Sequence, residues 1–396
     1  MTRLIVFYLA AQLLVADISN AQQLPGTKPL TLEGDIASHL VDGVDRFLLR
    51  QLESTIDARA RYWNRDSSSA EAYVKSVAAN RERLAEITGV VDERKSFTDI
   101  DIIARTDGSV EAAKSDLFTA YNVRWPAVRD INGVGLLLKP AKPNGAYVIA
   151  IPDAGQTPEM ISGLAEGVPA VQQFARRFAE SGFTVVVPAI ISRRYGPRNN
   201  RAKMTTREFL YRSSFELGRH LIGFEIQKVL AVVDWCKARS EDGPNVAVVG
   251  YGEGGLLALY SAALDTRIDA AMVSGYFDSR QDMWSEPVSR NVHAFLDQFG
   301  DAELASLVAP RYLAIEAAKG PEFELKSEGG APAVLDTPEP KVVVAEVQRA
   351  KDLIGSEDLT SIELFMSGDG YGGFATQSAL EAVASAISMD AGVVAV

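Results

Sequence analysis

The stretch that decides the fold runs Asn245-Val-Ala-Val-Val-Gly-Tyr-Gly-Glu-Gly-Gly-Leu-Leu-Ala-Leu-Tyr260. Its first part, Val246–Val249, is a continuous apolar run, which is typical of a strand that is buried on both faces of a sheet. The segment Gly250–Gly254 is rich in glycine and favours a sharp turn, and the apolar residues Leu256–Leu264 predict a helix. We therefore expect a buried strand, a tight turn and a helix in direct succession.

The rest of the chain predicts more strands and helices around this unit. Short apolar runs separated by turn signals begin at Phe97, and strands alternate with helices further along the chain. Such alternation predicts an α/β fold with a mostly parallel central sheet and helices on both faces. The other predicted strands are Tyr121–Trp125, Val134–Leu138, Ala146–Ile151, Thr184–Ile190, Ala270–Val273, Tyr312–Ile315 and Ile362–Met366. The other predicted helices are 168–181, 207–238, 342–353 and 378–387, and residues 318–340 predict an exposed loop.

The N-terminal part of the chain predicts a leader and a helical extension. A positive residue, Arg3, precedes the apolar run Leu4–Val15, and small residues near Ala21 offer a cleavage site, as in a secretory signal. We therefore predict a signal peptide at 1–21, export to the periplasm or outside the cell, and no membrane span in the mature chain. Helical spacing of apolar residues then predicts helices over 36–62 and 70–87, which form an N-terminal helical extension at 22–95 that precedes the main domain at 96–396.

Charge and cysteine content limit the classes of function. The net charge of −12 disfavours non-specific binding to nucleic acid, so no nucleic-acid partner is expected. The single cysteine, Cys236, allows no internal disulfide and lies in an apolar helical run, which indicates a buried thiol. The sequence has no H-E-x-x-H, C-x-x-C or EF-hand spacing, so we expect no metal site and no resident cofactor.

The glycine-rich turn fits two different chemistries. In the first, Gly250, Gly252 and Gly255 match the pattern G-x-G-x-x-G of dinucleotide-binding proteins, and Asp278 follows at a suitable distance. The glycines would then let the backbone approach a pyrophosphate at the start of the helix. The unit lies behind several strands, however, whereas this motif usually opens its domain.

In the second interpretation, Gly250-Tyr-Gly-Glu-Gly254 occupies the place of the motif G-x-S-x-G, the nucleophile elbow. A strained strand-to-helix turn there presents a serine hydroxyl, and the following N–H helps to form an oxyanion hole. Here Gly252 stands where the serine is expected. Glycine adopts that backbone conformation without strain, so the fold is kept while the nucleophile is lost.

Further segments favour the elbow. Roughly residues 120–390 resemble the dienelactone hydrolase and acetyl xylan esterase-like branch of the α/β-hydrolases. The resemblance lies in the elbow itself and in four other segments: Ser181-Gly-Phe-Thr-Val-Val-Val-Pro188, Gly218-Arg-His-Leu-Ile-Gly-Phe-Glu225, Val273-Ser-Gly-Tyr-Phe277 and Leu307-Val-Ala-Pro-Arg-Tyr-Leu313. It implies an α/β-hydrolase domain at 96–396 and, for intact members, hydrolysis of acyl esters.

The histidine that the resemblance implies is also missing from its expected place. The histidine should follow Ile362–Met366, but the segment Ser367–Gly373 contains none. An acid should follow Tyr312–Ile315, where Glu316 is available. Beside the expected oxyanion hole, the carboxylate of Asp153 would oppose a developing negative charge.

We therefore expect a non-catalytic pseudo-hydrolase that binds a ligand or supports another structure. Its partner would be an acylated saccharide, a small ester or another protein. The pocket would lie at the carboxyl edge of the sheet, lined by Ala154, Gly155, Gly252, Glu253, Ser274, Asp369 and Tyr371. The alternative is an active carboxylic-ester hydrolase that uses relocated groups: Ser274 as nucleophile, with His293 and Glu316.

Overall fold

The computed structural model describes residues 25–28, 31–104, 108–198, 200, 202–239, 243–388 and 392–395 of the 396-residue chain. The predicted signal peptide at 1–21 lies outside these residues. The chain divides into two units, Met1–Gln51 and Leu52–Val396. Across the described residues, no helix has both the length and the apolarity that crossing a bilayer requires.

The strands of the second unit follow the predicted apolar runs closely. They are β1 (Asp101–Ile102), β2 (Ala113–Lys114), β3 (Phe118–Val128), β4 (Ile131–Pro140), β5 (Tyr147–Ile151), β6 (Thr184–Pro188), β7 (Tyr195–Arg198), β8 (Ala202–Thr205), β9 (Val246–Tyr251), β10 (Ala270–Ser274), β11 (Tyr312–Ala317), β12 (Phe323–Leu325), β13 (Ala333–Leu335) and β14 (Ile362–Met366).

Within the described residues, ten of these strands form one sheet in the order β1-β3-β4-β6-β5-β9-β10-β11-β14, with β2 paired to β3. The strands from β6 to β14 in this order are parallel, and β4 is antiparallel to both β3 and β6. Strand β9 therefore lies inside the parallel part, between β5 and β10. The predicted mostly parallel sheet, with the glycine-rich unit near its centre, is confirmed.

The helices are α1 (Ile36–Ala58), α2 (Ala70–Ser76), α3 (Ala78–Thr88), α4 (Pro158–Ile161), α5 (Phe174–Glu180), α6 (Thr206–Glu216), α7 (Leu221–Lys237), α8 (Glu253–Leu264), α9 (Phe295–Gln298), α10 (Asp301–Val308), α11 (Pro340–Ile354) and α12 (Gln377–Ile387). The predicted helix at 207–238 is in fact two helices, α6 and α7. The break occurs because Gly218 has a φ of +61° and His220 caps the start of α7. The helix predicted over 168–181 begins later, at Phe174, after a 3-10 turn at Ala170–Gln172.

Each face of the sheet has its own core. Helices α7, α8 and α10 pack on one face with Tyr73 and Leu84 of the N-terminal extension, and α5 and α12 pack on the other. Nearly every residue of α8 is buried, and burying a leucine completely contributes about 1.5–3 kcal/mol. The elbow therefore lies between a buried strand and a buried helix, which fixes its position.

Segment 318–340 differs from its prediction as an exposed loop. Strands β12 and β13 pair antiparallel within it, and Lys203 N donates to Glu328 O at 3.1 Å. Ala331 N also donates to the buried carboxylate of Glu208 at 2.9 Å. The segment is therefore a hairpin rather than a loop, and these long-range bonds hold it against β8 and α6.

Candidate functional site

The elbow at Gly252 has the backbone of a nucleophile-bearing turn without the nucleophile. Gly252 has φ +56° and ψ −118°, a combination outside the regions that residues with a side chain favour. Its N–H donates to Ser274 O at 3.0 Å. The turn is tight because β9 and α8 approach closely: a Cβ on Gly250 would lie 1.9 Å from Gly254 O. Glycine is therefore required at 250 for packing and suits the φ of residue 252.

The carboxylate of Asp153 lies directly over Gly252. A Cβ built on Gly252 would be 2.6 Å from Asp153 Oδ1 and 3.0 Å from Pro321 Cγ. Asp153 Oδ1 accepts a hydrogen bond from Glu253 N at 3.0 Å, and Asp153 Oδ2 accepts one from Gly155 N at 2.7 Å. Glu253 N is the N–H that follows the nucleophile position. A carboxylate of the chain itself thus occupies the donor that an oxyanion hole would use.

Arg193 completes the surroundings of this carboxylate. Its guanidinium donates to both oxygens of Asp153, with Nη1 bonded to Oδ2 and Nη2 lying 2.8 Å from Oδ1. The guanidinium also lies over the ring of Phe323, 4.8 Å from its centroid, and Arg193 N donates to Ala154 O at 3.1 Å. Residues from both sides of the sheet's carboxyl edge therefore close over the elbow.

The side chain of Glu253 is held in buried ion pairs. It lies 2.8 Å from Arg207 and 2.9 Å from Arg290, and Arg207 also pairs with Glu225 at 2.9 Å. Burial raises the pKa of the Glu253 carboxyl, but Arg207, Arg290 and Arg193 outweigh this effect and lower it to about 2. Glu253 is therefore a permanently charged group whose partners stabilise its position.

Ser274 and Glu316 are brought together, but away from a histidine. Ser274 Oγ donates to Glu316 Oε2 at 2.5 Å. The same carboxylate accepts from Ala375 N, from Thr376 N and from the hydroxyl of Thr376. Glu316 thus fixes the loop that precedes α12, the loop where the resemblance implies a histidine.

The histidines have other surroundings. His220 Nδ1 accepts from Ile222 N at 3.0 Å and caps α7, and Nε2 bonds to Asn291 O at 3.1 Å. Burial lowers the pKa of this imidazole to about 4, so it is neutral at pH 7. His293 is exposed and lines a cavity of about 370 Å³ together with His220. In the first unit, His39 Nε2 lies 2.7 Å from Glu33 O. Among the described residues, the hydroxyl of Ser274 bonds to Glu316 and not to an imidazole.

The predicted pocket residues divide into two groups. Ala154, Gly252, Glu253 and Ser274 are buried at the elbow or beside it, and Gly155 borders them with an exposed backbone. Asp369 and Tyr371, in contrast, are exposed, and Asp369 Oδ1 accepts from Tyr371 N at 3.3 Å. Their loop instead places Phe374 against the elbow strand.

Sequence reasoning missed several residues of the site. The ring of Phe374 stacks on Tyr251 with 3.7 Å between centroids, and Arg193, Arg290 and Pro321 contact the elbow as described above. The only sequence signal for Arg193 was a pair of arginines after a strand, which is also common on surfaces.

The site offers little to a metal ion or a dinucleotide. No group of three or more His, Cys, Asp or Glu side chains among the described residues is placed to hold a metal ion. At the start of α8, where a pyrophosphate would bind, the Asp153 carboxylate already accepts the Glu253 N–H. A second anion there would be repelled, so the geometry opposes the dinucleotide interpretation of Gly250, Gly252 and Gly255.

Two comparisons of the sequence match hydrolases. The dienelactone hydrolase family matches residues 135–294. The "Putative hydrolase YtaP" of Bacillus subtilis (strain 168) is 25% identical over 248 residues, which cover 59% of this chain and 78% of that protein.

Solved structures support the fold alone. One described as a "putative acetyl xylan esterase" from Bacteroides fragilis NCTC 9343 superimposes with a TM-score of 0.56 at 15% identity and covers 81% of each chain. A promiscuous CE15 esterase from a marine bacterial metagenome gives a TM-score of 0.50 at 14% identity, covering 76% of this chain and 88% of that one.

Proposed function

We propose that this chain is a non-catalytic protein of the esterase-like hydrolase group, since the dienelactone hydrolase family matches residues 135–294 and the fold is that of an α/β-hydrolase. The observation that carries the proposal is the position of Asp153. Its carboxylate lies where a nucleophile and a substrate would meet, and it accepts the N–H of Glu253 at 3.0 Å.

Three requirements of ester hydrolysis are unmet at the elbow. Gly252 supplies no nucleophile. The N–H that would stabilise the tetrahedral intermediate already donates to a carboxylate, and that negative charge opposes the charge developing on the substrate oxygen. A serine hydroxyl needs a positioned base, whereas the described imidazoles of His220 and His293 lie together in a separate surface cavity. Removing one triad member usually costs several orders of magnitude in rate.

The same residues suggest what the elbow does instead. Asp153 joins the end of β5 to the start of α8, and Glu253 joins α8 to Arg207 and Arg290 from two other segments. The elbow thus connects the segments around it, and the protein serves to bind or support. Its partner would be an acylated saccharide, a small ester or another protein, and we place the protein outside the cytoplasm on the signal-like pattern at 1–21.

An active hydrolase with relocated groups remains the competing hypothesis, because Ser274 and Glu316 are hydrogen-bonded at 2.5 Å. Ser274 is buried, and its hydroxyl donates to a carboxylate that three other hydrogen bonds occupy. Such a serine lacks both access to substrate and an imidazole that would take its proton away.

Steady-state hydrolysis of p-nitrophenyl acetate separates the two hypotheses. We expect the purified wild type and Ser274→Ala to release p-nitrophenol at the rate of the buffer blank, while an intact esterase measured in parallel gives ready turnover. Turnover by the wild type that Ser274→Ala abolishes would establish the relocated site and refute the proposal.

A further inference from the structure

The carboxylate of Asp153 has a complete set of hydrogen-bond donors. Each of its oxygens accepts one backbone N–H, from Glu253 or Gly155, and one N–H of the Arg193 guanidinium. Two-point binding by a guanidinium matches the planar shape and charge of a carboxylate, and such charge-assisted bonds are the stronger kind. The four donors converge on one planar anion with two oxygens.

The donors on Glu253 and Arg193 are held in place by contacts that do not involve Asp153. The N–H of Glu253 opens α8, whose position is fixed by the core. Arg193 is held by the bond from its own N–H to Ala154 O and by the ring of Phe323. These three donor groups, one N–H of Glu253 and two of Arg193, would therefore persist if the Asp153 side chain were removed.

Part of this donor set is exposed to solvent. The backbone of Gly155 is exposed, and the side chain of Arg193 is 16% exposed. The carboxylate itself is 4% exposed, so an anion bound there would be largely dehydrated and would depend on the four donors. A neutral ester carbonyl offers a single oxygen and no charge, and fits this donor set less well.

We propose that the former oxyanion hole is a carboxylate-binding site whose resident ligand is Asp153, and that an external carboxylate occupies it when that side chain is absent or turned away. This inference rests on the proposed loss of catalysis and names the class of ligand for the same site. Of the partners named above, the site therefore selects a saccharide or a protein that bears a carboxylate, rather than a neutral ester.

Thermal unfolding of Asp153→Ala with added sodium formate tests the proposal, and it measures no hydrolysis. Because a ligand that binds only the folded state raises its stability, the Tm of Asp153→Ala should rise by roughly 2 °C or more when formate is at about ten times its dissociation constant. Sodium chloride and formamide at the same concentrations should give a smaller rise. The wild type should show no formate-specific rise, since its own carboxylate fills the site.

Two further measurements keep the test decisive. The double variant Asp153→Ala with Arg193→Met lacks the guanidinium and should lose the response to formate. If Asp153→Ala does not fold in buffer alone, its refolding yield in formate, compared with chloride, becomes the readout, and formate should increase it. An equal response to formate and chloride, or an undiminished formate response in the double variant, would overturn the inference, whatever the outcome of the hydrolysis assay.

Discussion

Restoring the missing serine should destabilise the protein rather than activate it. In Gly252→Ser the new Cβ would meet Asp153 Oδ1 at 2.6 Å and Pro321 Cγ at 3.0 Å. The backbone at φ +56° and ψ −118° adds strain of about 1–3 kcal/mol for a residue with a side chain, and overpacking adds a similar amount. We therefore expect the free energy of unfolding to fall by about 2–6 kcal/mol.

Urea denaturation measures this loss, and Gly218→Ser is a matched control. Gly218 has φ +61°, and a Cβ there would meet nothing within 4 Å. The substitution should therefore lower the free energy of unfolding by backbone strain alone, about 1–2 kcal/mol. A double-mutant cycle isolates the clash: in an Asp153→Ala background, Gly252→Ser should cost less than in the wild type.

Two results would refute this reasoning. A loss in Gly252→Ser no larger than in Gly218→Ser would mean that Asp153 does not lie over the elbow. Hydrolysis of p-nitrophenyl acetate by Gly252→Ser above the wild-type rate would mean that a base is already in place beside residue 252.

Three further predictions concern buried polar side chains. Arg207→Met should destabilise the fold by about 3–5 kcal/mol, because it leaves the buried carboxylates of Glu225 and Glu253 short of a partner. As a control in the same urea titration, Arg124→Met breaks an exposed ion pair and should cost less than about 1 kcal/mol. Burial outweighs the Arg280 guanidinium, 3.1 Å away, and raises the pKa of the Asp301 carboxyl from 3.8 to about 7. The folded state then binds the proton more tightly than the unfolded state, so the free energy of unfolding should fall as the pH rises from about 4 to about 7. Asp301→Asn should remove that fall. A pH dependence of stability that is the same in this variant as in the wild type would contradict the prediction. His220→Ala should lower the free energy of unfolding by about 1 kcal/mol, because it removes the cap of α7. His220→Asn should recover part of that loss, and equal stability of the two variants would argue against the cap.

The fold could be predicted from the sequence because its signals are local. The apolar strand, the glycine turn and the following helix are adjacent in the chain, and the alternation of strands and helices sets the sheet class. The prediction missed the break between α6 and α7 because the helical spacing of apolar residues continues from one helix into the next. Gly218 and His220 mark the junction.

The site was predictable only in part. The elbow and the empty nucleophile position are read from consecutive residues, and Asp153 was expected to oppose catalysis. Its partner Arg193 lies forty residues further along the chain, and Glu253 pairs with Arg207 and Arg290 from different segments. No spacing rule connects such residues, since their proximity depends on how the connections between strands fold over the sheet.

The most direct test of the account is whether the protein ever forms an acyl-enzyme. The purified wild type is incubated with p-nitrophenyl acetate, quenched in acid, and analysed by intact-mass spectrometry and peptide mapping. The account predicts no acetyl adduct on any residue at the carboxyl edge of the sheet, because Gly252 offers no nucleophile and Ser274 is buried without an imidazole bonded to its hydroxyl. An adduct on Ser274 that forms and decays with turnover would contradict it.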